Sequence, residues 1–141
     1  MTLNTLNSVI LSDLKSVEDK RGALVPIEGG KEIPFEIKRI FYIYGVQKGT
    51  ERGHHAHKVC NQIFICLKGQ VRVSCDDGKK KKSFLLDSPK KALLIPSSLW
   101  AVEDYLSEDS LLLILTDQAY DSQDYIREYD HFLKFRSGEE N

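Results

Sequence analysis

Three of the four histidines in this 141-residue chain fall in one short stretch, Arg52-Gly53-His54-His55-Ala56-His57-Lys58. In an extended strand, residues two apart project to the same side, so His55 and His57 face one way while His54 and Ala56 face the other. Two imidazoles converging on one hollow serve as metal ligands or as proton-transfer groups, because an imidazole titrates near pH ~6.5. Cys60 stands close to them, but no neighbouring residue marks it as a nucleophile. Cys66 and Cys75 lie in apolar runs that suit buried thiols, and no C-x-x-C pair is present. An odd cysteine count without a secretion signal argues against a disulfide framework.

The elements that must position these groups are mostly strands. Arg39 to Val46 is rich in Ile, Phe and Tyr, and Gln62 to Leu67 is a continuous apolar run suited to a strand buried on both faces. Lys68-Gly69 reads as a turn into Val71, Val73 and Cys75, which alternate with polar residues, so the two runs are expected to form a hairpin. Asp76-Asp77-Gly78 marks the next turn, Ser83 to Leu86 returns, and Ala92 to Ile95 and Leu111 to Leu115 add further strands. Weaker strand signals at Val9-Ile10-Leu11 and Ala23-Leu24-Val25 are expected to complete a sheet, in part across a dimer interface. Only the C-terminal part reads as helix, with Tyr125, Ile126, Tyr129, Phe132 and Leu133 at helical spacing and Asp121 or Ser122 as its N-cap. Regular strand spacing implies an antiparallel sandwich or barrel.

Length implies a single domain over residues 1–141. Lys+Arg of 20 against Asp+Glu of 21 leaves a formal net charge of -1, which removes the electrostatic footprint of a nucleic-acid binder. The run Lys79 to Lys82 follows a turn and reads as a solvated hairpin tip. No apolar stretch approaches the ~20 residues that span a bilayer, and the N-terminus lacks a basic segment followed by an apolar one. A cytoplasmic protein without nucleic-acid or membrane partners is the expectation.

The spacing Gly49, five residues, His55-Ala56-His57, four residues, Gln62, six residues, Gly69 resembles the first cupin motif, with Gln62 where that motif has glutamate. The second cupin motif would place a metal-binding histidine near Ala101, after Pro96. The resemblance implies an all-β, cupin-type antiparallel jelly-roll barrel with a short C-terminal helix. It also removes two of four usual metal ligands, since a glutamine carbonyl replaces a carboxylate poorly and alanine binds nothing. No metal and no cofactor are expected.

A longer pattern is more specific. Arg39-Ile40-Phe41-Tyr42-Ile43-Tyr44, Arg52 to Lys58, Ile95-Pro96 with Trp100, and Tyr120 to Phe132 resemble the nucleotide-sugar 3,4-ketoisomerase family of small metal-independent cupins, of the WxcM-like kind. The resemblance spans about residues 35 to 133. It implies a homodimer acting on a dTDP-linked keto-deoxysugar, dTDP-4-keto-6-deoxy-glucose, whose carbonyl moves from carbon 4 to carbon 3 in deoxysugar and polysaccharide biosynthesis.

Such a transposition takes a proton from carbon 3, passes through an enediol and returns a proton to carbon 4. His55 and His57 are expected to carry those transfers, each acid-base group contributing ~10^2 to 10^4 in rate. Tyr42 and Tyr44 share a strand face, and the resemblance puts a tyrosine of this strand in the site as donor to the enediolate oxygen. Arg52 suits a diphosphate or sugar oxygen. Arg72 is a weaker mouth-lining residue, and Trp100 either stacks on substrate or plugs the barrel. Asp124, Tyr125 and Arg127 are expected to dock the helix. The rival readings are a non-catalytic nucleotide-sugar binding module, a nucleotide-sugar epimerase, which begins with the same proton abstraction, and a metal-dependent cupin oxygenase, which needs a third strong ligand.

Overall fold

The computed structural model describes residues 3–138. Twelve strands follow in chain order: β1 (Ile10–Asp13), β2 (Val17–Asp19), β3 (Gly22–Leu24), β4 (Arg39–Ile43), β5 (Glu51–His57), β6 (Gln62–Lys68), β7 (Val71–Asp76), β8 (Lys81–Leu86), β9 (Lys91–Ile95), β10 (Trp100–Tyr105), β11 (Leu111–Thr116) and β12 (Tyr125–Ile126), with one helix, α1 (Tyr129–Ser137). They build two five-stranded antiparallel sheets, β1-β9-β6-β11-β4 and β12-β5-β10-β7-β8, and a separate β2-β3 hairpin. This is the all-β jelly-roll expected from the sequence.

Burial explains the layering. Val71, Val73, Cys75, Ala101 and Tyr105 of the second sheet meet Phe64, Cys66, Leu93, Leu112 and Ile114 of the first in one inner core. β6 is covered on both faces, because Ile63 and Ile65 pack outward against Val25, Ile27, Phe35 and Ile37. On the far side, Phe132 and Phe135 of α1 cover Ala56, Trp100 and Ile126 on the outer face of the second sheet. Among the described residues, no helix is long and apolar enough to cross a membrane.

Three local expectations change. β6 and β7 do not form a hairpin: β6 pairs with β9 and β11, and β7 with β8 and β10. The Lys68-Gly69 turn instead carries the chain from one sheet to the other, and Gln70 is tied to the connection before β11 through Ser107 and Leu106. β1 finds its partner, β9, within the chain. The C-terminal helix begins at Tyr129, because Asp121 caps a single 3-10 turn, Ser122–Asp124, by accepting from Gln123 N–H, and Tyr125 and Ile126 then pair with His57 and Ala56 of β5. A strand ladder overrides the helical spacing of the apolar residues there. The shift places Asp124 and Tyr125 against the histidines.

Candidate active site

β5 carries a bulge that decides which side chains meet. Ala101 of β10 opposes His55 and Val102 opposes Gly53, so His54 is the extra residue. Gly53 and His54 both have positive φ, +96° and +48°. An inserted residue reverses the alternation on one side of it. Without it, Arg52 and His55 would face opposite ways; with it, Arg52 pairs with the buried Glu103 while His55 and His57 stay on the inner face. His54 is left outside, next to Glu51 at 3.4 Å.

The two imidazoles lie edge to face with ring centres 5.1 Å apart. His55 donates from Nδ1 to the Gly53 carbonyl at 2.8 Å, and His57 donates from Nδ1 to Asp124 Oδ2 at 2.9 Å, protons assigned from the acceptor each nitrogen faces. Each ring therefore keeps its lone pair on Nε2. Burial lowers the pKa of His55 to about 4, against the Gly53 bond and with help from the charges of His57, Arg127 and His54. Burial also lowers that of His57, opposed by Asp124 and reinforced by Arg39 and Arg127. Both are neutral bases at pH 7. His55 is half-buried, whereas His57 is sealed and its Nε2 has no protein partner among the described residues.

Tyr125 closes the group. Its ring centre is 4.3 Å from that of His57 and 5.1 Å from that of His55, and Arg39 donates to its hydroxyl at 3.4 Å. The Arg127 guanidinium lies over the same ring at 4.4 Å. Arg39 reaches inward because Arg39, Phe41 and Ile43 take the inner side of β4. Beside His57 the free space shrinks to about 10 Å³, bounded by Arg39, Cys60, Gln118, Tyr120, Asp124 and Tyr125.

His57, Cys60 and Asp124 are the one group among the described residues whose donor atoms sit close enough for a shared ion, within 4.8 Å. Those donors are already committed. Both Asp124 oxygens accept N–H groups, His57 Nδ1 is one of the donors, and burial raises the Cys60 thiol to about 11. A cation would have to break this hydrogen-bond network and take a proton from the Cys60 thiol, so the three residues do not fit a metal site as they stand. Gln62 and Ala101 are buried.

Several residues singled out in the sequence lie elsewhere. Tyr42 and Tyr44 are 61% and 74% exposed, on the side of the first sheet away from the histidines, where they border a cavity of about 600 Å³ with Lys68, Asp109 and Leu111. The parity of β4 is the reason, since its inner positions are taken by Arg39, Phe41 and Ile43. Arg72 points outward opposite Asp104 and Leu85, because Val71 and Val73 take the inner side of β7. Trp100 neither plugs the barrel nor meets the histidines. It lies on the outer face of the second sheet, edge to face with Tyr129 at 5.2 Å and packed against Phe132, beside a cavity of about 440 Å³ that also includes Glu51, His54 and Asp76. Arg52 sits near the inner group, where its charge acts on buried Glu103 and Tyr105. Glu103, Arg39, Asp124, Tyr125 and Arg127 were not assigned to the site from the sequence. Arg39 was within reach of that reading, through its period-two relation to Phe41 and Ile43.

The family model described as "FdtA: WxcM-like, C-terminal" matches residues 7–137. The chain belongs to this family. One relative, the TDP-4-oxo-6-deoxy-alpha-D-glucose-3,4-oxoisomerase of Aneurinibacillus thermoaerophilus, is 42% identical over 129 residues, covering 92% of this chain and 91% of the relative. The crystal structure of QdtA, a sugar 3,4-ketoisomerase from Thermoanaerobacterium thermosaccharolyticum in complex with TDP, superposes with a TM-score of 0.91 at 38% identity, covering 95% of this chain and 98% of that one. The WlaRB TDP-quinovose 3,4-ketoisomerase of Campylobacter jejuni gives 0.87 at 36% identity, covering 92% and 99%. These relatives are named as sugar 3,4-oxoisomerases or 3,4-ketoisomerases, in keeping with a site made of bases and donors.

Proposed function

We propose that the protein is a TDP-sugar 3,4-ketoisomerase that moves the carbonyl of TDP-4-keto-6-deoxyglucose from carbon 4 to carbon 3. The observation that carries this reading is the pair of neutral imidazoles, each held through Nδ1 with its Nε2 lone pair free, on one inner face. His55, the more accessible, takes the proton of carbon 3 on Nε2. The C–H electrons form the carbon 3–carbon 4 double bond, and the carbon 4 oxygen becomes an enediolate. The hydroxyl proton of carbon 3 passes to that oxygen with His57 Nε2 as intermediate acceptor. Collapse of the carbon 3 oxygen to a carbonyl then draws the proton of the His55 imidazolium onto carbon 4. Tyr125, with Arg39 on its hydroxyl, takes the donor role first expected of Tyr42 and Tyr44, and a preorganised donor of this kind stabilises developing oxyanion charge. Arg52, Arg39 and Arg127 offer guanidinium forks to the diphosphate.

The test is proton NMR of chelator-treated protein with TDP-4-keto-6-deoxyglucose in deuterated water. The expected result is loss of the 4-ketone, with solvent deuterium at carbon 4 to the extent that the half-buried His55 imidazolium exchanges its proton before returning it, the coupling constants naming the gluco or galacto product. Deuterium at carbon 3 with the ketone unmoved would make the protein an epimerase. An unchanged sugar would leave a binding module.

The working unit in this reading is a cytoplasmic homodimer. β4 is a terminal strand with an open edge, and Ile40, Tyr42 and Tyr44 beside it are exposed. Val17 and Leu24 on the separate β2-β3 hairpin are exposed as well. An open edge joined to an apolar face is a natural self-association surface. Sedimentation should give a species of twice the 16.1 kDa chain mass, and charged replacements at Tyr42 and Tyr44 should halve it. A wild-type protein sedimenting as a single chain would remove the dimer.

A further inference from the structure

The segment before α1 does more than dock the helix. Asp124 accepts three N–H groups with one carboxylate: Val59 N on Oδ1 at 2.7 Å, Cys60 N on Oδ2 at 3.2 Å and His57 Nδ1 on Oδ2 at 2.9 Å. Its own carbonyl accepts Lys58 N at 2.9 Å. One residue thus holds the whole turn that follows β5, and its side chain is only 11% exposed. We infer that Asp124 is a positioning residue that sets the tautomer of His57, and so decides where the site keeps its second lone pair.

A carboxylate is an acceptor at both oxygens, so a ring nitrogen facing it has to carry the proton. With Nδ1–H fixed, His57 Nε2 becomes an acceptor. It is buried and has no protein partner among the described residues, an arrangement that is unfavourable until a donor arrives. Under the ketoisomerase reading, on which this inference rests, that donor is the hydroxyl of the sugar carbon that loses its proton. The other groups around the ring do not compete for the Nδ1 proton. Arg39 and Arg127 are cations that disfavour a charged imidazole, and Tyr125 packs its ring on that of His57 at a tilt of 57°.

Replacement by asparagine separates orientation from packing. The amide has nearly the same shape but only one acceptor atom. The shortest bond, from Val59 N–H, claims the carbonyl oxygen. The NH2 group then stands where Oδ2 was, giving up the longer 3.2 Å bond from Cys60 N–H and facing His57 Nδ1, and the imidazole can satisfy it only by moving its proton to Nε2. The lone pair would be turned away from the substrate side. In serine hydrolases the same exchange at a buried aspartate inverts the histidine tautomer and lowers kcat about 10^4-fold.

The experiment is long-range proton–nitrogen NMR of the histidine rings in the wild type and in Asp124→Asn, with turnover of TDP-4-keto-6-deoxyglucose measured beside it. Wild-type His57 should show a protonated Nδ1 and a bare Nε2, and the variant the reverse. Turnover kcat in Asp124→Asn should fall ~10^2 to 10^4-fold with KM within about threefold, the pattern of a lost transition-state interaction. A wild-type ring protonated on Nε2 overturns the inference, and this reading needs neither a folded variant nor any activity. An inverted tautomer with unchanged kcat also overturns it, while leaving the ketoisomerase assignment intact. If the wild type turns over no keto-sugar, it is the assignment that fails, and the ring spectra still report whether Asp124 sets the tautomer.

Discussion

His55→Asn lowers kcat on TDP-4-keto-6-deoxyglucose by ~10^2 to 10^4-fold and leaves the melting temperature close to that of the wild type. The amide can still donate to the Gly53 carbonyl that now holds Nδ1, so the local bond survives. What disappears is the Nε2 lone pair. His55 rather than His57 is the base at carbon because it is half-buried, whereas the His57 side chain is 7% exposed and pinned by Asp124. The same assignment fixes the pH dependence. With its pKa lowered to about 4 by burial, His55 stays unprotonated in the free enzyme at neutral pH. Protonation removes the base, so activity is lost as the pH falls through that value and is kept above it. Since kcat/KM reports the free enzyme, its profile should be flat around neutrality and fall only below the ordinary imidazole value, as His57, itself lowered by burial, and His55, near pH 4, take up protons. An acid limb near the ordinary imidazole value of ~6.5 would mean that the ring is solvated and that another base acts. A His55→Asn protein with full turnover would remove His55 from the chemistry.

Much of this site could be read from the sequence because the period of a strand is fixed. His55 and His57 share a face for that reason alone, and the run Ile63 to Leu67 announced a strand covered on both sides because it has no polar position to turn outward. Legibility ended wherever pairing, rather than periodicity, decides. The bulge at Gly53 and His54 exists only in relation to β10, and it is what brings Arg52 round to the side of His55. Tyr42 and Tyr44 obey the same two-residue period as Arg39 and Phe41, so the period could not choose between the faces; the inner core chose. From Tyr125 to Leu133 the apolar residues satisfy helical spacing, yet the first two serve as a strand against β5, and the residue just before them provides the carboxylate of the site. A helix reading of that segment therefore assigned Asp124 and Tyr125 to docking.

Gly53→Ala should be a strongly damaging single-methyl change. Gly53 holds φ at +96°, and a Cβ there would collide with Glu103 Oε2 and lie 2.9 Å from the Ala101 carbonyl oxygen. Neither neighbour can step aside cheaply. The carbonyl is part of the β5-β10 ladder, and Glu103 is 4% exposed inside the barrel, where burial has already raised its pKa to about 7 despite the charge of Arg52. Backbone strain of ~1–3 kcal/mol and overpacking of ~1–3 kcal/mol add to about 2–6 kcal/mol. That corresponds to a fall in melting temperature on the order of 10 °C. Gly49→Ala is the internal control, because Gly49 has nearly the same φ, +89°, with nothing within 4 Å of an added Cβ. It should show the strain without the collision, and so a clearly smaller fall. Equal falls in the two variants would mean that the contact with Glu103 and Ala101 is not part of the folded protein. Because the Gly53 carbonyl is also the acceptor that fixes His55, kcat in Gly53→Ala measured well below its melting point should drop as well, which Gly49→Ala should not do. The bulge thereby links stability to catalysis: the close approach that only glycine allows is the one that aims the base.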